Sequence, residues 1–192
     1  DHADIASIYK RLTFNEVQIV TLSEGDVGLI DVGLRGVMNQ LFLVDMAKKV
    51  RRGQRGRVEA GKITAGLAYG YDVVKRFDAK GEPIRGERTI NEEQAAVVRR
   101  IFSDYVAGKS PKAMAAQLNR EGVRSPSGKG WNQSTINGRR IAGYGILNNY
   151  LYRGQIVWNR VAERRCPETG RLIRRLNPRE EWVFKDVPEL RI

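Results

Sequence analysis

The chain of 192 residues has one cysteine, one histidine and six prolines. Cys166 alone cannot close an internal disulfide, and with His2 as the only histidine a zinc site lacks donors, so no metal and no cofactor are expected. No apolar run approaches the ~20 residues of a membrane helix, and no signal peptide opens the chain, so no membrane contact is expected. Acidic residues are also scarce: 22 Asp+Glu stand against 34 Lys+Arg, a formal charge of +12. Hydrophobic residues at 41% exclude the profile of a disordered tail. A chain of this length suits one or two domains and can hide roughly 70% of its unfolded surface without a staple. Such a basic surface points first at nucleic acid, because phosphates are drawn to it. A basic globular domain with no such partner is the plainer reading. The chain starts at Asp1 rather than Met and stops at Leu190-Arg191-Ile192 without a terminating signal, so it is read as a piece of a longer protein.

Residues 1–25 read as a helix and a strand. Asp4, Ile5, Ile8, Tyr9 and Leu12 keep helical spacing, Val17, Ile19 and Thr21 alternate through Ser23, and Glu24-Gly25-Asp26 is expected to turn. From about Leu34 to Ala60 a Pro-free stretch predicts one helix, about 40 Å long at 1.5 Å per residue. Its first half is apolar, with Val37, Met38, Leu41, Phe42, Val44 and Met46. Its second half is basic: Lys48, Lys49, Arg51, Arg52, Arg55, Arg57 and Lys62 stand against Glu59 alone. That imbalance suits phosphates better than a solvated face, whose signs usually balance. Asp45 is expected to pair with Lys48 or Lys49, three and four residues on.

Further along, Asp78-Ala79-Lys80-Gly81 predicts a turn between extended arms. Asn91 and Gln94 have the spacing of a capping box for a helix whose buried face is Val97, Val98, Ile101, Phe102 and Tyr105. Ser110 caps the next helix, with Pro111 at its first position. Gly108-Lys109-Ser110 imitates the end of a phosphate-binding loop, but Ser103 stands where that motif needs glycine. After the loop 123–131, a third helix is expected from Asn132 or Ser134 to about Ile141. Strands are expected over Gln155–Val161, Arg171–Leu176 and Glu181–Lys185, with a turn at Pro167–Gly170.

Acid–base or nucleophilic catalysis needs a nucleophile beside an orienting partner, and no such set can be built from these residues. Binding is better supported. The helices at 110–121 and 132–141 are similar to a helix-turn-helix with an enlarged connection. The second would present Asn132, Gln133, Ser134, Thr135, Asn137, Arg139 and Arg140, types that bridge adenine and guanine edges. Asn132 and Ser134 serve equally as helix caps. Arg124 and Lys129 suit phosphates. Trp131 reads as a core plug anchoring the loop, and Tyr144, Tyr150, Tyr152 and Trp158 read mostly as core.

With these elements in order, the chain resembles the large serine recombinases. Gly122-Val123, Pro126, Gly128-Lys129, Trp131, Ser134-Thr135-Ile136, Ile146-Leu147-Asn148-Asn149, Tyr152, Gly154 and Val157-Trp158 resemble their recombinase domain. Upstream, Asp4-Ile5-Ala6 to Leu12, the Val17–Thr21 strand and the long helix from Leu34 resemble the end of a resolvase catalytic domain. Gly56-Arg57-Val58-Glu59-Ala60-Gly61 is similar to that helix's basic end. The resemblance implies an α+β chain: residues 1–33 a truncated α/β catalytic-domain remnant, 34–61 a long connecting α-helix, and 62–192 a mainly helical DNA-binding domain with a small β element.

It also implies site-specific recombination of duplex DNA. In the family a serine attacks the scissile phosphate, arginines stabilise the charge, and subunits pair as dimers and tetramers on DNA, here through the long helix. In the family the chemistry needs no metal or high-energy cofactor because the covalent bond conserves the energy, and fixed guanidiniums supply preorganised stabilisation of the phosphate charge. A cytoplasmic, nucleoid-associated protein of bacterial or phage origin is implied. The family's nucleophilic serine and its Arg-x-x-Arg motif fall before Asp1, so this chain is expected to bind DNA without cutting it. Where the family often has Glu-Arg, Asp45-Met46 keeps the acid as a possible support for catalysis and loses the guanidinium. The family's zinc ribbon has no counterpart here. Two other readings are a non-catalytic helix-turn-helix-like regulator and a basic protein-interaction module in which Val37, Met38, Leu41 and Phe42 meet a partner helix.

Overall fold

The computed structural model describes residues 2–22, 25–26 and 28–192. It is a mixed α and β chain that divides into two compact units, Asp1–Gly53 and Gln54–Ile192.

In the first unit, α1 (His2–Phe14) begins with Asp4 in its first turn, where a carboxylate meets the positive end of the helix dipole. The expected strand is shorter than its alternation suggests: β1 is Val20–Thr21 and pairs antiparallel with β2, Gly25–Asp26. Gly25 and Asp26 thus pair with β1, Gly25 at φ +76°; Ser23 and Glu24, the rest of the expected strand and turn, lie outside the described residues. Helix α2 runs from Leu29 to Glu59, five residues earlier than the apolar pattern predicts. Its start is set by Asp31, whose carboxylate accepts the Gly28 N–H at 2.8 Å and satisfies a donor that the helix leaves free. Its apolar residues Val37, Met38, Leu41 and Phe42 are all exposed. Its end, from Gln54 to Glu59, belongs to the second unit, where Val58 is completely buried.

The second unit has a single core that draws on distant parts of the chain: Val58, Ile63, Tyr71, Val98, Ile101, Met114, Leu118, Trp131, Ile136, Ile146, Tyr152, Ile156 and Leu190. Its strands pair only as two-stranded antiparallel ribbons. These are β3 (Tyr71–Val73) with β6 (Arg88–Ile90), β4 (Arg76–Phe77) with β5 (Pro83–Ile84), β7 (Gln155–Trp158) with β10 (Val183–Asp186), and β8 (Val161–Arg165) with β9 (Leu172–Leu176). The Asp78–Gly81 and Pro167–Gly170 turns fall between paired strands as expected.

Helix α3 (Glu92–Val106) is capped by Asn91, whose side chain accepts from the Gln94 N–H at 3.1 Å. The reciprocal half of the capping box does not form. The Gln94 side chain accepts from Gly70 N at 2.8 Å, and Asn91 N donates to Gly70 O at 3.0 Å, which ties the helix start to the strand before it. Val98 and Ile101 are buried as expected; Tyr105, seven residues after Val98 and so on the same side of the helix, is exposed. Helix α4 (Pro111–Arg120) is capped by Ser110, which accepts from Ala113 N at 3.2 Å. Arg100 on α3 grips Glu121 after α4 through two hydrogen bonds, at 2.5 and 2.7 Å. The hydrogen bonds from Arg100, then that from Gln117, hold the Glu121 carboxyl at about 2.

The third helix departs most from expectation. Helix α5 spans only Gln133–Ile136, one turn, and not the stretch to Ile141. Gly138 follows at φ +48°, outside the right-handed helical region, and Arg139 N then donates to Tyr144 O at 3.1 Å, folding 137–145 into a tight turn. The helix-turn-helix geometry is therefore absent: α4 is followed by a structured loop and a single helical turn.

Candidate nucleic-acid interface

Trp131 organises this region. It is only 4% exposed, meets Tyr69 edge-on with ring centroids 5.2 Å apart, and donates its indole N–H to Val123 O at 2.9 Å. Its main chain is clamped by one side chain: Trp131 N donates to Asn119 Oδ1 at 2.6 Å, and Asn119 Nδ2 donates to Trp131 O at 2.8 Å. Ser125, also buried, accepts from Gly130 N at 3.1 Å and closes the loop on itself. The Tyr69 hydroxyl donates to Arg124 O at 3.1 Å, and the Tyr152 hydroxyl to Tyr69 O at 2.9 Å, so the loop is tied to the middle of the core. Burial pushes the Tyr69 and Tyr152 hydroxyls above the usual phenol range.

On this fixed frame Arg124 and Lys129 stand exposed, and among the described residues neither pairs with a carboxylate. Asn132 serves as the cap of α5: its Oδ1 accepts from Thr135 N at 3.0 Å, Thr135 Oγ1 at 3.1 Å and Ser134 Oγ at 2.5 Å. Three of the predicted base-reading side chains are therefore engaged with one another. Gln133 and Arg139 remain exposed on the same stretch, and Asn137 is half-buried, with its carbonyl accepting from Asn148 Nδ2 at 2.5 Å. Arg140 is set apart, lining a cleft with four further arginines.

Along α2, the Asp45–Lys49 ion pair forms at 2.8 Å and Arg55 pairs with Glu59 at 2.8 Å, both at i,i+4 spacing. Lys48, Arg51 and Arg52 are exposed and make no ion pair among the described residues. In the second unit Arg57 donates to Arg85 O at 2.7 Å, and Lys62 is half-buried just beyond the helix. The partner of Asp45 is Lys49.

Among the described residues, no group of three or more His, Cys, Asp or Glu side chains is placed to hold a metal ion, and no helix is long and apolar enough to cross a membrane. Sequence reasoning missed Asn119, whose side-chain amide determines where the cationic loop sits. It also missed the arginines beside Arg140, which are dispersed along the sequence and meet only in the fold.

No curated protein and no solved structure matches the chain. The family model described as Recombinase does match, over residues 92–192, which takes in α3, α4, the Trp131 loop, α5 and the ribbons that follow. That match covers just over half of the chain, and the chain therefore belongs to the Recombinase family.

Proposed function

We propose that this chain is the DNA-holding part of a serine site-specific recombinase, which binds duplex DNA and does not cut it on its own. Family membership implies DNA recombination, and therefore a DNA substrate. The finer reading rests chiefly on one observation: a loop locked by Trp131, Asn119 and Ser125 holds two exposed, unpaired cations, Arg124 and Lys129. A rigid frame lowers the ordering cost of each phosphate contact, which favours its use as a backbone grip. Gln133 and Arg139, one step further along, have the chemistry to read base edges. Lys48, Lys49, Arg51 and Arg52 on α2 would add backbone contacts, and Arg55, Arg57 and Lys62 would extend them. The phosphoserine chemistry would come from a nucleophile elsewhere in the parent enzyme. The exposed apolar residues Val37, Met38, Leu41 and Phe42 favour self-association of the parent through α2.

The loop is tested by Arg124→Ala with Lys129→Ala. Duplex affinity should fall about tenfold or more, to the same extent on cognate and unrelated sequences, since phosphate contacts carry no sequence information. Arg139→Ala should instead reduce the difference between cognate and unrelated duplexes. Unchanged affinity in the double variant would refute the loop's role, measured by anisotropy of a labelled duplex.

A further inference from the structure

A cleft of about 660 Å³ in the second unit is lined by Arg140, Arg153, Arg160, Arg179 and Arg191, and no Asp or Glu side chain lines it. Among the described residues none of these five forms an ion pair, unlike Arg100 or Arg174. A concave, low-dielectric site lined by charges of one sign concentrates the opposite ion.

Aromatic rings hold the guanidiniums in a connected series. Arg153 lies 4.2 Å from the Tyr150 ring centroid. Arg160 lies 5.3 Å from Tyr150 and 5.0 Å from Trp182. Arg179 lies 5.5 Å from Trp182 and 5.7 Å from Phe184. Guanidiniums held on ring faces keep their N–H donors at the edge, where a tetrahedral oxyanion can be met bidentately. The same arrangement occupies the ring faces that a stacked base would need, so the ligand is an anion and not a nucleobase.

Arg160 anchors the series. Its Nη2 donates to Arg140 O at 2.6 Å and Ile141 O at 3.0 Å, while its Nε is buried with no protein acceptor. Arg160 thus holds the 139–144 turn in place and presents Arg140 beside the other cations.

We propose that this cleft grips the backbone of bound DNA, with Arg153 and Arg179 each gripping a phosphate and Arg160 as the positioning residue. The proposal rests on the DNA-holding reading, and the experiment separates the two. A labelled duplex is titrated at several salt concentrations with the native chain and with Arg153→Ala/Arg179→Ala, and thermal melts check folding. The double variant should bind about a hundredfold more weakly, roughly tenfold for each guanidinium–phosphate hydrogen-bonded pair removed, and its salt slope should be shallower by about 2. Should that variant melt early, Arg179→Gln decides alone, with about a tenfold loss and a slope shallower by about 1. Native-like binding by the folded variant overturns the cleft proposal and leaves the loop reading intact, whereas failure of the native chain to bind any duplex overturns both. Inorganic phosphate supplies the remaining arm. If it perturbs Trp182 emission in the native chain but duplex neither does so nor competes, the cleft takes free phosphate and the backbone assignment is overturned.

Discussion

Gly138→Ala is expected to unfold the turn that carries Arg139 and Arg140 and to destabilise the second unit by about 3 kcal/mol or more, beyond the range of ordinary surface substitutions. Gly138 sits at φ +48°, where an L side chain costs roughly 1–2 kcal/mol even in open space. Here the space is closed. An added Cβ would lie 2.0 Å from Tyr144 O, 2.3 Å from Tyr144 C and 2.5 Å from Gly145 N. Those atoms are backbone, so no rotamer change relieves the overlap and the 137–145 turn must open. Asn148 would then lose one or both of its acceptors, Asn137 O at 2.5 Å and Tyr144 O at 2.8 Å. At roughly 2–4 °C per kcal/mol for a unit of this size, the melting temperature should drop by about 6–12 °C. Gly53→Ala is the control, since Gly53 lies in α2 with nothing within 4 Å of an added Cβ and alanine is the better helix former. A Gly138→Ala melt equal to that of the native chain would contradict the turn geometry.

Trp131→Ala should cost about 3–5 kcal/mol, the range for deleting a buried indole from a packed core. Removing the ring leaves Val123 O without its donor and Tyr69 without its edge partner. The Asn119 clamp grips the main chain of residue 131, which the substitution keeps. The loop should therefore loosen before it detaches. Hydrogen exchange at Gly130 N, bonded to Ser125 Oγ, should accelerate along with the fall in global stability. Trp131→Phe keeps much of the packing without the Val123 hydrogen bond, so it should fall between the two. A Trp131→Ala chain as stable as the native one would mean that the ring is not the plug that orders Arg124 and Lys129.

Local chemistry explains which parts of this fold are legible in the sequence. Asn91 and Ser110 announce α3 and α4 because a cap satisfies its own helix within three residues, and both caps form. Trp131 is legible as a plug because it follows a glycine-rich polar loop with few other apolar residues. The length of α5 is overestimated because Ser134, Thr135, Ile136, Arg139 and Arg140 look helical in composition. The signal against it lies in Gly138, Gly143 and Gly145, all at positive φ in the structure. The arginine cleft has no local signal at all. Arg153 and Arg179 come together only because β7 pairs with β10 across the β8–β9 ribbon, and Tyr150 and Trp182, whose sequence surroundings suggest no such role, support cations. Non-local pairing of this kind leaves no periodicity to find.

If this chain holds duplex DNA through phosphates, the salt dependence of binding shows it most directly. With six to eight phosphates met, log affinity plotted against log salt should fall with a slope of roughly −5 to −7. A flat response over the same range, or affinity too weak to measure at low salt, would contradict the account.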